Sequence, residues 1–175
     1  MAFPCSGFCA WWWINLAKGC DLGPRRKEGL FHLKFSLELA RLTRENGGDS
    51  HLENPLTSLG WKVPEAQKET SLPHWKAFRL DQCRTELRGP DGGLHLKPTL
   101  IQTTCDAMVK ALNLRCTGDH PHEHVQGAAT EASANYSECM ADIIARVIMH
   151  DSPNRRRTGC ITAFSLLDGS ELEIE

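Results

Sequence analysis

His51-Leu52-Glu53-Asn54-Pro55 follows a long run of helical periodicity and a double glycine, and it sets the class of fold. Over 28–45, Phe31, Phe35, Leu39 and Leu42 recur on one stripe, with Leu30, Leu33 and Leu37 beside it. That spacing is an amphipathic helix, and Gly47-Gly48 supplies its stop. The next segment, 49–53, is too short for a second helix. It is predicted as a strand running into the Asn54-Pro55 turn. A strand that delivers a polar tip to a turn is where α/β proteins place chemistry, so the chain is predicted to be α/β.

Outward from this point the pattern continues to alternate. A helical turn is predicted over 56–61 and a short helix within the loop 64–73. Strands follow at 78–83 and, on β-branched residues, at 99–103. Arg88-Gly89-Pro90-Asp91-Gly92-Gly93 between them is a turn cluster. A helix is predicted at 106–114 and another at 137–150, where Met140, Ile143, Ile144, Val147 and Ile148 share a face. The expected organisation is a body over 1–127, a small-residue linker over 128–136, and an amphipathic helix with a polar tail over 137–175. Neither an internal repeat nor a P-loop is present.

Composition narrows the classes. With 41% hydrophobic and 24% charged residues, 175 residues suit one globular domain. A net charge of −2 creates no global field toward nucleic acid or membrane, so such contacts would need local patches. Pro24-Arg25-Arg26-Lys27 and Arg155-Arg156-Arg157 are the clearest. The eight cysteines are too dispersed for a small disulfide scaffold, which predicts reduced thiols and an intracellular location. The apolar start, with Trp11-Trp12-Trp13, lacks the leading positive charge of a signal peptide and is too short to span a membrane. No membrane partner is expected.

Pro4-Cys5, then Glu53-Asn54-Pro55, then Lys97-Pro98-Thr99 stand in order, with Cys116 and a histidine cluster behind them. This order resembles the cytosine-C5 DNA methyltransferases, which carry a nucleophilic Pro-Cys pair and later a Glu-Asn pair at a strand end. It looks closer still to a divergent branch found in phage genomes and in retroelement-like sequences of protists. That branch reads Pro-Pro-Cys, a helix, Glu-Asn-Pro, a Cys segment, Lys-Pro-Thr, and a Cys/His-rich run before a Gly. Residues 51–55, Asp81-Gln82-Cys83, 96–99 and 115–127 carry the match, which spans 3–127.

The resemblance implies a partial, incomplete Rossmann-like methyltransferase sheet with helices, of mobile-element origin. It implies DNA as substrate, with the target base flipped out, and S-adenosylmethionine as methyl donor. Cys5 would be the nucleophile on cytosine C6, and Glu53 the carboxyl that protonates or hydrogen-bonds ring N3. Asn54, Pro55 and Arg84 would lie on the substrate side, Arg84 through a loose Gln82-x-Arg84 echo. Phe3 replaces the branch's second Pro. In the family the donor-binding half precedes Pro-Cys, so the chain is expected to lack it. It is then expected to be inactive alone, because it forgoes the proximity effect, unless an upstream segment or a second chain supplies that half. Cys5 as an ordinary thiol and Glu53 as a hydrogen-bonded strand-end carboxylate remain open readings.

Cys116, His120, His122 and His124 lie within nine residues. Thiolate and neutral imidazole are preferred zinc ligands, four to a tetrahedron. Cys83 or Cys105 could supply a distant partner, with Cys83, Cys116 and His122 the first choices. A metal-free, His-rich surface turn is the alternative. For the whole chain the competing function is a zinc-stabilised, non-catalytic module that binds nucleic acid or protein.

Overall fold

The computed structural model describes residues 2–9, 12–125, 130 and 133–151. Met1, Trp11, Gly127, the Arg155-Arg156-Arg157 patch, Cys160 and the acidic end lie outside these residues.

A short helix α1 (Trp12–Ala17) precedes the long α2 (Gly23–Glu45). Pro24 sits in the first turn of α2, where its missing N–H costs nothing, and the Gly23 N–H donates to Asp21 Oδ1 at 2.9 Å. At the other end Gly47, with φ 76°, donates its N–H to Arg44 O, and Gly48 donates to Thr43 O, each at 2.8 Å. This is the paired-bond stop that a glycine in left-handed conformation makes, as the double glycine predicts.

The buried face of α2 differs from the expected one. Gly29, Leu33, Ser36, Leu37 and Ala40 face the core, whereas Phe31 is 68% and Phe35 60% exposed, and Leu39 and Leu42 are exposed beside them. Two neighbouring stripes are apolar, and the one rich in small residues allows the closer approach. A Cβ on Gly29 would stand 3.1 Å from the Phe8 ring, and Ser50 Oγ reaches Ala40 O at 3.0 Å.

Strand β1 (His51–Pro55) is followed by α3 (Pro64–Thr70), β2 (Lys76–Asp81), β3 (Pro98–Thr103), α4 (Asp106–Leu112) and α5 (Glu138–Arg146). β1 begins two residues later than predicted, because Ser50 serves as a tie. It exchanges bonds with Thr104 at 2.9 and 3.0 Å and so joins the end of α2 to the end of β3. β2 starts and ends two residues earlier than predicted. Ser137 caps α5, accepting from the Met140 N–H at 3.1 Å.

The sheet order is β1-β3-β2, with both pairs antiparallel. β1 and β2 therefore run the same way, with β3 reversed between them. Ala2 makes a parallel bridge to Glu53. The chain from Ala2 to β1 passes through α2, which is the crossover that parallel pairing requires. Helices cover both faces. Leu52 joins Phe3, Phe8, Leu33, Leu37 and Trp75 on one side. Phe78, Leu80 and Ile101 join Met108, Leu112, Met140 and Val147 on the other, so α5 packs into the same body as the sheet. The fold is mixed α/β. Among the described residues, no helix is long and apolar enough to cross a membrane.

Candidate functional site

Chemistry-bearing side chains gather along β1 and just past the carboxyl end of β2. At the end of β1, Phe3 is buried edge-on against Phe8 and Trp61, with ring centroids 5.8 and 5.5 Å away. The Asn54 amide N–H donates to Phe3 O at 2.7 Å, and Trp61 Nε1–H donates to Pro55 O at 3.0 Å. Asn54, expected on the substrate side, is thus the clamp that fixes the Cys5 segment to the strand, and Pro55, expected there too, instead holds Trp61, which packs on Phe3. Phe3 in place of a proline adds the apolar anchor.

This arrangement puts the Cys5 thiol near enough to Glu53 for the carboxylate charge to act on it. Burial raises the Cys5 thiol above its ordinary value, the Lys97 ammonium opposes that, and the Glu53 charge adds to it. Cys5 is therefore not a preformed thiolate. Burial likewise raises the Glu53 carboxyl, against the Tyr136 hydrogen bond and the Lys97 charge. Tyr136 O–H donates to Glu53 Oε2 at 2.6 Å, while Glu53 Oε1 is buried with no partner. Lys97 is itself held, donating to Ser133 O at 2.6 Å. A protonatable carboxyl, a thiol and a fixed ammonium in one corner can perform nucleophilic addition with general acid help.

The second centre lies at the end of β2. The ligand atoms of Cys83, Cys116, His120 and His122 all fall within 4.8 Å of one another. Cys116 Sγ is 3.5 Å from His122 Nε2 and 3.8 Å from His120 Nε2. A tetrahedron with Zn–S of about 2.3 Å and Zn–N of about 2.0–2.1 Å has S···N edges of about 3.5–3.6 Å, so the four donors can hold a metal. His120 Nδ1 lies 2.7 Å from Asp119 Oδ1, the carboxylate support that orients a ligating imidazole. Burial, then the hydrogen bond with Cys116 and its charge, push the Cys83 thiol up to about 11. A cation between the two sulfurs would relieve that cost.

Asp81 links this centre to the sheet. Its Oδ2 accepts from the Cys116 N–H at 3.0 Å, and its Oδ1 accepts from Arg79 Nε at 2.6 Å. Burial acts to raise it, yet Arg79, the Cys116 N–H and Arg115 hold its carboxyl below the usual range.

Of the predicted metal ligands, Cys83, Cys116, His120 and His122 converge. His124 is exposed and is not among them. Cys105 lies in the core with Met108 and Leu112. Arg84, expected near the base, lies 3.7 Å from Asp119 on the metal side. In the sequence Lys97 stands out only as part of the Lys97-Pro98-Thr99 run, and Tyr136, the chain's single tyrosine, lies inside the expected linker. Nothing local marks Tyr136, since its partner is 83 residues away. Comparison with protein-family models, curated proteins and solved structures returned no match, so the two centres rest on their own geometry.

Proposed function

We propose that the chain is the substrate-side half of a divergent DNA cytosine-C5 methyltransferase-like domain on an incomplete Rossmann-like sheet. The observation that carries this reading is the approach of Cys5 to Glu53, where Ala2 bridges in parallel to the middle of β1 with α2 as the crossover. In this reading Cys5 gives its proton to water and its sulfur bonds C6 of a flipped-out cytosine. The C5–C6 electron pair shifts through C4 toward N3, which takes the Glu53 proton. The resulting enamine can exchange its C5 hydrogen with water. Reversal then expels the thiolate and returns the proton to Glu53. S-adenosylmethionine would supply the methyl group in a complete enzyme. Among the described residues no Gly-rich strand-to-helix turn stands at a strand end to hold it. Its site would come from an upstream segment or a second chain, and methyl transfer by this chain alone is not expected.

The hydrogen-exchange half-reaction needs no methyl donor. A single-stranded oligonucleotide tritiated at cytosine C5 should therefore lose label to water with this chain. Loss should stop in Cys5→Ser and fall about 10²-fold or more in Glu53→Gln. Absence of release, or equal release by the parent and Cys5→Ser, overturns the reading.

A second reading, supported by the four converging donors, is a zinc-stabilised binding module. Zinc suits two thiolates and two imidazoles better than other common divalent ions. The two readings are compatible, because a structural zinc at the end of β2 would brace the same sheet whose β1 carries Glu53 near Cys5.

A further inference from the structure

The segment from Ser133 to Ser137 is pinned to the sheet region at three points. Ser133 O accepts from Lys97 Nζ at 2.6 Å, just ahead of β3. Ser137 Oγ donates to Thr85 O, just past β2, and the same oxygen caps α5 by accepting from the Met140 N–H. Between these anchors, Tyr136 O–H donates to Glu53 Oε2 in the middle of β1. Tyr136 as a residue is 40% exposed, and its hydroxyl is the end that the bond to Glu53 holds. The phenol stays a donor. Burial, then the Glu53 charge and the shared hydrogen bond, hold its ionisation far above the ordinary value.

A carboxyl whose one oxygen accepts a hydrogen bond carries its proton on the other. Here the other is Oε1, buried and without a partner. We propose that Tyr136 is a positioning residue: it occupies Glu53 Oε2, confines the carboxyl's transferable proton to Oε1, and holds the group in one rotamer. The inference rests on Glu53 acting as the acid toward a cytosine ring. Among the described residues, the titratable and charged groups acting on this carboxyl are Tyr136 and Lys97, and the carboxyl in turn acts on the Cys5 thiol.

The test compares the full chain with Tyr136→Phe, which removes one hydroxyl. Carbon-13 carboxyl NMR follows the Glu53 titration, and the tritium-release assay is run across pH. The tyrosine bond favours the charged carboxylate, so its loss should move the Glu53 midpoint upward. Release should fall about tenfold, with the carboxyl limb of its pH profile moved in the same direction. An unmoved Glu53 titration overturns the inference. So does a uniform loss of release at every pH accompanied by a lower Tm, which is what a purely structural tyrosine would give. If the parent releases no tritium but its Glu53 midpoint still moves in Tyr136→Phe, the positioning contact stands and the methyltransferase reading fails.

Discussion

Among single residues, His51 offers a clean test of the environment at the start of β1. Thr103 Oγ1 accepts from the Cys105 N–H at 3.0 Å and lies 2.7 Å from His51 Nδ1. Burial lowers the His51 pKa from its ordinary 6.5 to about 4. The unfolded chain takes up this proton as pH falls below 6.5, while the fold resists until about 4. Stability present above pH 6.5 is therefore lost across that window, by about 3 kcal/mol from this group. His51→Gln should flatten the loss, measured as urea midpoints between pH 7 and 4. An unchanged slope would mean that His51 titrates normally. Glu53 is raised rather than lowered, so its burial works against the fold at neutral pH. A carboxyl kept at such a cost within β1 accords with a functional group.

At the scale of elements, α2 separates what periodicity can tell from what it cannot. The 28–45 pattern marks a helix and its stop, yet both of its apolar stripes satisfy the same period. Leu33 and Leu37 are buried against Phe3, Phe8 and Leu52, so Leu37→Ala should cost about 2–5 kcal/mol in urea unfolding. Phe35→Ser, on the exposed stripe, should change stability by no more than about 0.5 kcal/mol. The reverse order would show that the other stripe faces the core. The strands were legible to within about two residues: the double glycine and Asn54-Pro55 bound a segment too short for a helix at β1, and β-branched residues mark β3. Pro55 closes β1 and Pro98 opens β3, the positions where a strand tolerates a missing N–H. The turn between β2 and β3 was legible from its glycines. Its closure depends on a distant residue. A Cβ on Gly89 would lie 2.2 Å from His95 Nε2 and 2.3 Å from Glu123 Oε1, so only glycine lets the turn shut on that pair.

For the molecule as a whole, the metal centre ties the segment after α4 back onto the end of β2. That segment has little apolar surface of its own, so a bound ion would supply what a core does elsewhere. One equivalent of zinc is expected, with a chelator lowering Tm by about 5 °C or more. Cys116→Ser should lose the metal, and His124→Ala should keep it. Zinc loss in His124→Ala would show that the four-donor set is misassigned. Residue type and spacing by themselves established an α/β chain, the long helix and its glycine stop, the order of the strands along the chain, and a Cys/His run with metal-ligand chemistry. These are local properties, set by side-chain period and backbone preference over a few residues. Only the tertiary structure decided that β3 lies reversed between β1 and β2, that Cys83 rather than Cys105 meets Cys116, and that Lys97 and Tyr136 close around Glu53. Strand order brings such residues together across dozens of intervening positions, and it is settled by which faces bury one another.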